Sequence, residues 1–299
     1  MTVFEEIPEP INAMGEQATF ANEKYGIHER NTFDIWLAKS EKPTPLVIYI
    51  HGGGFVGGDK SKYYQSHDWE RFLGNGISIA TINYRYMNEA PYGILASMND
   101  SKRFVQYIRY NAKKYNIDKT KIACTGGSAG AGTSLWLAFS DDMADAENID
   151  PVLRESTRLT CAGAFATQAT YDIFQWDEIL GIPLLQNPQQ LKAIGRAFGF
   201  KSPENIDLKN ETGIRTNLDF MAKMDKHDSP VFIFNRHRAG SPENQDDVNH
   251  HPLHAKALLK RAEQVGLEAI VYAPEIGISD PSGIDLVDFF LEKFARPPL

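Results

Sequence analysis

The residues whose types and spacing point most directly to chemistry are Gly126-Gly127-Ser128-Ala129-Gly130. They follow the apolar run Lys121 to Thr125 and precede a helix-like stretch, Thr133 to Phe139. A serine on a tight strand-to-helix turn projects its hydroxyl above the edge of a sheet, and only small neighbours let strand and helix approach so closely. The helix N-terminus behind it favours developing negative charge. An ordinary serine in a glycine-rich turn is the bland alternative, and the strand–turn–helix setting argues for a nucleophile instead.

A second group, His51-Gly52-Gly53-Gly54-Phe55, follows the buried-strand pattern Pro45 to Ile50. Glycines here let backbone N–H groups face a cavity. Two such donors, with the N–H of Ala129, would form an oxyanion hole, each donor being worth about 3 kcal/mol in a transition state. His51 is expected to brace this loop rather than act as a base. Gly52, Gly54 and Gly57 also match the dinucleotide fingerprint, but the motif runs into Gly58-Asp59-Lys60-Ser61 rather than an apolar helix, and the next strand ends in Tyr84-Arg85 without the required acid. That reading is set aside.

The elements that must carry these loops are strands alternating with helices, which predicts an α/β fold with a mainly parallel sheet flanked by helices. Phe33 to Ala38 reads as an edge strand. Ile77 to Tyr84, Leu159 to Phe165, Val231 to Asn235 and Ala269 to Ala273 read as further strands. Leu95, Met98, Phe104, Ile108 and Tyr115 recur at helical spacing between two of them, with Arg109, Lys113 and Lys114 expected on its solvated face. Pro252 to Val265, ended by Gly266, and Asp285 to Phe294 read as the last helices. Residues 1–299 are expected to form a single domain. Residues 170–228 exceed an ordinary connection and are expected to be a small helical lid, with Tyr171, Phe174, Trp176, Leu184 and Phe198 as its apolar side chains.

Taken together, His51 to Phe55, Asn83-Tyr84-Arg85 and Gly126 to Gly130 resemble the α/β-hydrolase fold, and within it the hormone-sensitive-lipase-like and feruloyl-esterase-like carboxylesterases. The resemblance implies a serine esterase with Ser128 as nucleophile and Gly53, Gly54 and Ala129 as oxyanion donors. It also implies an acid after the seventh strand and a base histidine after the eighth, with no metal or cofactor.

The sequence departs from that pattern at one decisive point. After Ala269 to Ala273 it offers Pro274-Glu275-Ile276-Gly277-Ile278, and no histidine follows His254. A serine hydroxyl needs a base to take its proton. The loop after Val231 to Asn235 is about 16 residues long and ends in Asp246-Asp247-Val248-Asn249-His250-His251. Since triads are defined by geometry rather than chain order, the base is expected at His251, or else His250, with Asp247 or Asp246 as the acid and Glu275 as an alternative. Three other readings stay open: a catalytically impaired fold that binds a small ligand or partner, amide or peptide hydrolysis on the same residues, and a metal site from His250, His254 and Asp246. His28, His67, His227 and His237 are expected to be surface or packing residues.

Composition excludes some classes of function without naming a substrate. The 299 residues carry 31 Lys and Arg against 39 Asp and Glu, a formal charge of −8. That balance speaks against non-specific nucleic-acid binding, which depends on neutralising phosphates. No apolar run is long enough to span a membrane, and Met1 to Glu6 shows no signal peptide, so a cytoplasmic protein is expected. Cys124 and Cys161 lie in apolar strands and are expected to be buried free thiols. A small-molecule ester is the expected partner, with the oligomeric state left open.

Overall fold

A computed structural model describes residues 8–89, 93–183, 194–200 and 211–297. Among the described residues eight strands form one sheet: β1 (Phe20–Lys24), β2 (Thr32–Trp36), β3 (Thr44–Ile50), β4 (Ser78–Ile82), β5 (Ile117–Gly127), β6 (Cys161–Phe165), β7 (Val231–Phe234) and β8 (Ala269–Tyr272). Their spatial order is β1-β2-β4-β3-β5-β6-β7-β8. The β1–β2 and β2–β4 pairs are antiparallel and the remainder are parallel. The edge is therefore β1, not Phe33 to Ala38. Residues Phe33 to Trp36 are all buried, and the polar β1 sequence FANEK covers them.

Alternation along β3 explains why a continuous apolar run is needed there. Leu46, Ile48 and Ile50 enter one core layer, and Val47 and Tyr49 the layer on the opposite face. Helices α2 (Ile94–Tyr110), α3 (Ala129–Ala138) and α8 (Leu253–Val265) contribute to the first layer. Helices α1 (Trp69–Gly74) and α9 (Leu286–Ala295) contribute to the second. Gly266 ends α8 with φ 77, as a left-handed cap residue should. Asp285 caps α9 by accepting from the Asp288 N–H. Arg109 is not on a solvated face: it is buried, and its guanidinium donates to the carbonyls of Lys119, Ser156 and Arg158. Both cysteines are free and buried.

Between β6 and β7 the chain forms α4 (Trp176–Leu180), a helical turn at 194–197, α5 (Thr212–Leu218) and α6 (Phe220–Lys223). Leu184 lies outside the described residues. Tyr171 packs edge-on against Phe55 and Phe220, and Phe174 lies tilted against Phe198. Among the described residues no helix is long and apolar enough to cross a membrane.

β3 pairs with β4 on one side and β5 on the other, so the chain reverses its direction of winding at β3. The crevice at the carboxyl ends of β3 and β5 is where an open α/β sheet places its site. The loops carrying His51 to Phe55 and Ser128 both leave from there.

Candidate active site

β5 passes directly into α3 at Ser128, which adopts φ 52 and ψ −118. A non-glycine residue in that region is strained and is held there by its surroundings. Ser128 N–H donates to the Phe165 carbonyl at 2.9 Å, and the Gly132 N–H donates to the Ser128 carbonyl at 3.0 Å. The flanking glycines are steric necessities. A Cβ on Gly130 would stand 1.9 Å from the Ile50 carbonyl oxygen, and one on Gly126 2.2 Å from the same atom.

The loop after β3 closes against this turn, for a Cβ on Gly52 would meet the Gly127 oxygen at 2.7 Å. Gly53 has φ 109 and Gly54 φ 59, and the Gly53 carbonyl accepts from both Val56 and Gly57 at 3.1 Å. Among the described residues the N–H groups of Gly53, Gly54 and Ala129 donate no hydrogen bond, so all three are available to an incoming oxygen. His51 braces the loop, as expected. Its ring stacks on Tyr84 at 4.2 Å and its Nδ1 lies 2.7 Å from the Gly52 carbonyl. Burial pushes its pKa down to about 4, which keeps the ring neutral. Arg30 ties the next segment in, donating to the carbonyls of Tyr84 at 2.9 Å and Gly58 at 3.0 Å.

Opposite Ser128 stands a short helix that sequence patterning missed, α7 (Gln245–Asn249). Asn244 caps it by accepting from the Asp247 N–H at 3.0 Å. The Asn249 carbonyl accepts from Gln168 at 2.7 Å and the His250 carbonyl from Asn235 at 3.0 Å. His250 terminates this helix, and its Nε2 lies 2.8 Å from Ser128 Oγ. Its Nδ1 lies 2.9 Å from Asp246 Oδ1, four residues back on the same face. A proton held on Nδ1 by that carboxylate leaves Nε2 as an acceptor for the serine hydroxyl. Burial lowers the His250 pKa below its ordinary value, against the opposing pull of Asp246.

The neighbouring candidates are occupied elsewhere. His251 is buried, its Nε2 3.0 Å from the Gly240 carbonyl and its Nδ1 accepting from the Leu253 N–H. Asp247 accepts from Arg238 at 2.7 Å and from the Glu243 N–H at 2.8 Å, and Arg238 holds its carboxyl well below the usual range. Glu275 is exposed in the turn Pro274–Ile276, and among the described residues no hydrogen bond or ion pair joins it to His250. His254 is buried against the Val248 carbonyl and the Ala169 N–H, so the set His250, His254 and Asp246 is not assembled. His237, expected to be a surface or packing residue, packs edge-on to His250 with centroids 5.8 Å apart and lies 3.1 Å from Asp247 Oδ1.

A cavity of about 250 Å³ opens beside Ser128, bounded by Gly54, Phe55, Ala129, Ile94, Tyr171, Ile173, Trp176 and Val248, with Gln168, Gln245 and Asn249 as polar members. Tyr171 serves the turn as well as the wall, donating from its hydroxyl to the Ala129 carbonyl at 2.9 Å.

The BD-FAE family model matches residues 33–238. The chain belongs to the BD-FAE family. This is an α/β-hydrolase esterase family, and the match takes in the oxyanion loop and the serine turn but stops before α7. Among curated relatives, this BD-FAE chain is 30% identical over 103 residues to the juvenile hormone esterase of Heliothis virescens, covering 32% of this chain and 18% of that protein. It is 24% identical over 159 residues to gut esterase 1 of Caenorhabditis elegans, covering 51% and 28%. It is 32% identical over 97 residues to esterase LipI of Mycobacterium tuberculosis, covering 31% and 28%. The chain thus matches less than a third of the length of each of these relatives. Among solved structures, a truncated carbohydrate esterase from gut microbiota superposes with TM-score 0.68 at 20% identity, over 93% of this chain and 96% of that one. A thermophilic esterase from Thermogutta terrifontis does so with TM-score 0.59 at 15% identity, over 97% and 94%. At those identities the superpositions establish the fold.

Proposed function

We propose that this BD-FAE chain is a serine hydrolase of carboxylic esters, working through an acyl-enzyme on Ser128 with a base moved to the loop after β7. Ser128 Oγ attacks the ester carbonyl carbon while His250 Nε2 takes its proton. Asp246 faces the Nδ1–H and stabilises the imidazolium that forms. The carbonyl oxygen becomes an oxyanion within reach of the N–H groups of Gly53, Gly54 and Ala129. Collapse breaks the bond to the alcohol oxygen, which leaves with the proton from Nε2. Water, deprotonated by the same nitrogen, then attacks the acyl carbon and frees Ser128. The apolar cavity would hold the acyl group, with Tyr171, Ile173, Trp176, Ile194 and Ala197 of the proposed lid segment in its wall.

The observation that carries this reading is the chain of two short contacts, 2.8 Å from Ser128 Oγ to His250 Nε2 and 2.9 Å from His250 Nδ1 to Asp246 Oδ1. The relatives' names agree with ester chemistry.

Hydrolysis of p-nitrophenyl acetate and butyrate by wild type, Ser128→Ala, His250→Ala and His251→Ala tests it. Ser128→Ala and His250→Ala should each lose about 10⁴-fold or more in kcat. His251→Ala should keep turnover within about tenfold and lose stability, because its two ring contacts are structural. Wild-type turnover in His250→Ala would refute the relocated base. A wild type no faster than Ser128→Ala would leave a ligand-binding descendant of the fold.

A further inference from the structure

His237, Asp246 and His250 each offer an atom that can ligate a metal, and these atoms all lie within 4.8 Å of one another. Asp246 Oδ1 is 2.9 Å from His250 Nδ1, and Asp246 Oδ2 is 3.9 Å from His237 Nε2. Two imidazoles and a carboxylate form a ligand set that Zn²⁺ accepts, with a fourth position left to water. Bonds of about 2.0–2.1 Å in a tetrahedron put donors about 3.3 Å apart; one Asp246 oxygen is already closer than that to His250, while the other lies farther than that from His237. With all three donors within 4.8 Å of one another, the side chains must draw inward to close round an ion.

The surroundings favour a cation. Carboxylates Asp246, Asp247 and Glu243 outnumber the facing cations Arg238 and Lys62. If His237 turns from Asp247 to an ion, Asp247 keeps the Arg238 guanidinium and the Glu243 N–H, so no buried carboxylate is abandoned.

We infer that His237, Asp246 and His250 form a divalent-metal site of the zinc class whose occupancy switches the serine chemistry off. The coordination itself does not depend on the catalytic reading, whereas the inhibition rests on His250 being the base. The ion takes the Nδ1 lone pair of the neutral imidazole. The proton formerly on Nδ1 moves to Nε2, so the ring stays neutral and gains one coordinate bond. Nε2–H then faces Ser128 Oγ as a donor and can no longer accept the serine proton. Asp246 is diverted from the ring to the ion at the same time. Removing the ion lets the proton return to Nδ1.

The test is Zn²⁺ titration calorimetry, together with the visible absorption of bound Co²⁺, on wild type, Ser128→Ala and His237→Ala. Wild type and Ser128→Ala should each take up one ion with equal affinity, and His237→Ala should bind at least about tenfold more weakly. Turnover of p-nitrophenyl butyrate by wild type should fall in proportion to occupancy and return with EDTA. The His237→Ala enzyme, with metal-free turnover like wild type, should need correspondingly more Zn²⁺. No uptake by wild type up to millimolar Zn²⁺, or equal uptake by His237→Ala, overturns the site. Uptake as expected with turnover unchanged leaves the metal site standing and overturns His250 as the base.

Discussion

The two halves of the candidate site are built from different material. The half around Ser128 is backbone: N–H groups of the loop after β3 and of the turn after β5, on strands paired in register at Ile50 and Gly126. Glycine is required wherever the two approach, and His51 and Tyr84 pack the loop from behind. The half around His250 is side chain, mounted on a helix of five residues. Such a helix has no stability of its own. It is held by the Asn244 cap, the Asp247–Arg238 pair and two amides, Gln168 and Asn235, gripping its last carbonyls. A backbone half cannot be moved without rebuilding the sheet, while a side-chain half can migrate to whichever neighbouring loop reaches the serine. The turn after β8 ends at Gly277 without a histidine, and the loop after β7 is the one that reaches.

Substitutions in the two halves should therefore fail differently. Gly130→Ala puts a methyl 1.9 Å from a carbonyl fixed in β3, so it should destabilise the fold by about 3 kcal/mol or more and abolish activity with it. A urea titration showing native stability would mean that the serine turn is far more pliable than its contacts imply. In the other half, Asp246→Asn should leave the urea midpoint within about 0.5 kcal/mol of wild type, since its side chain is 67% exposed. Its kcat should fall by about 10²-fold, short of the roughly 10⁴-fold cost of losing a buried triad acid, because water screens the pair. Asp247→Asn should reverse the pattern. It weakens the Arg238 pair that helps to hold α7 and should lower the urea midpoint more than Asp246→Asn does, with a smaller effect on kcat. If Asp247→Asn proves the more damaging to kcat at full folding, the acid has been assigned to the wrong neighbour.

Legibility in the sequence follows the same division. Seven of the eight strands are visible as apolar runs, because each is buried on one face or both. The eighth, Phe20–Lys24, is a polar edge whose pairing depends on β2 and not on its own pattern. The serine turn and the glycine loop are readable because sterics demand specific residue types at fixed offsets. Helix α7 is shorter than two turns, too short for periodicity to register. Choosing between His250 and His251 needs the direction of each side chain at the helix end, about 100° apart, and two adjacent identical residues carry no such information. The four-residue spacing of Asp246 and His250, behind an Asn cap, was the available clue. His237 had none, since its approach to His250 is made by tertiary folding of the loop.

Acid sharpens the comparison further, because each half also buries a neutral histidine. His51 lies behind the oxyanion loop with its pKa pushed down to about 4, and His254 lies behind α7 with its pKa pushed down to about 3, both by burial. Unfolded, each would titrate near 6.5, so below that pH the unfolded chain binds more protons than the folded one. The stability they contribute is fully present above pH 6.5 and is lost as pH falls toward about 4 and about 3. Each adds a slope of about 1.4 kcal/mol per pH unit in that window. His254→Gln should lower stability at pH 7 through its lost contacts with Val248 and Ala169, yet make the dependence between pH 6 and 4 shallower by about that one slope. Urea midpoints at half-unit intervals read both effects. An undiminished slope in His254→Gln would mean that this half takes up its proton with no penalty, and that α7 opens to water before the sheet does.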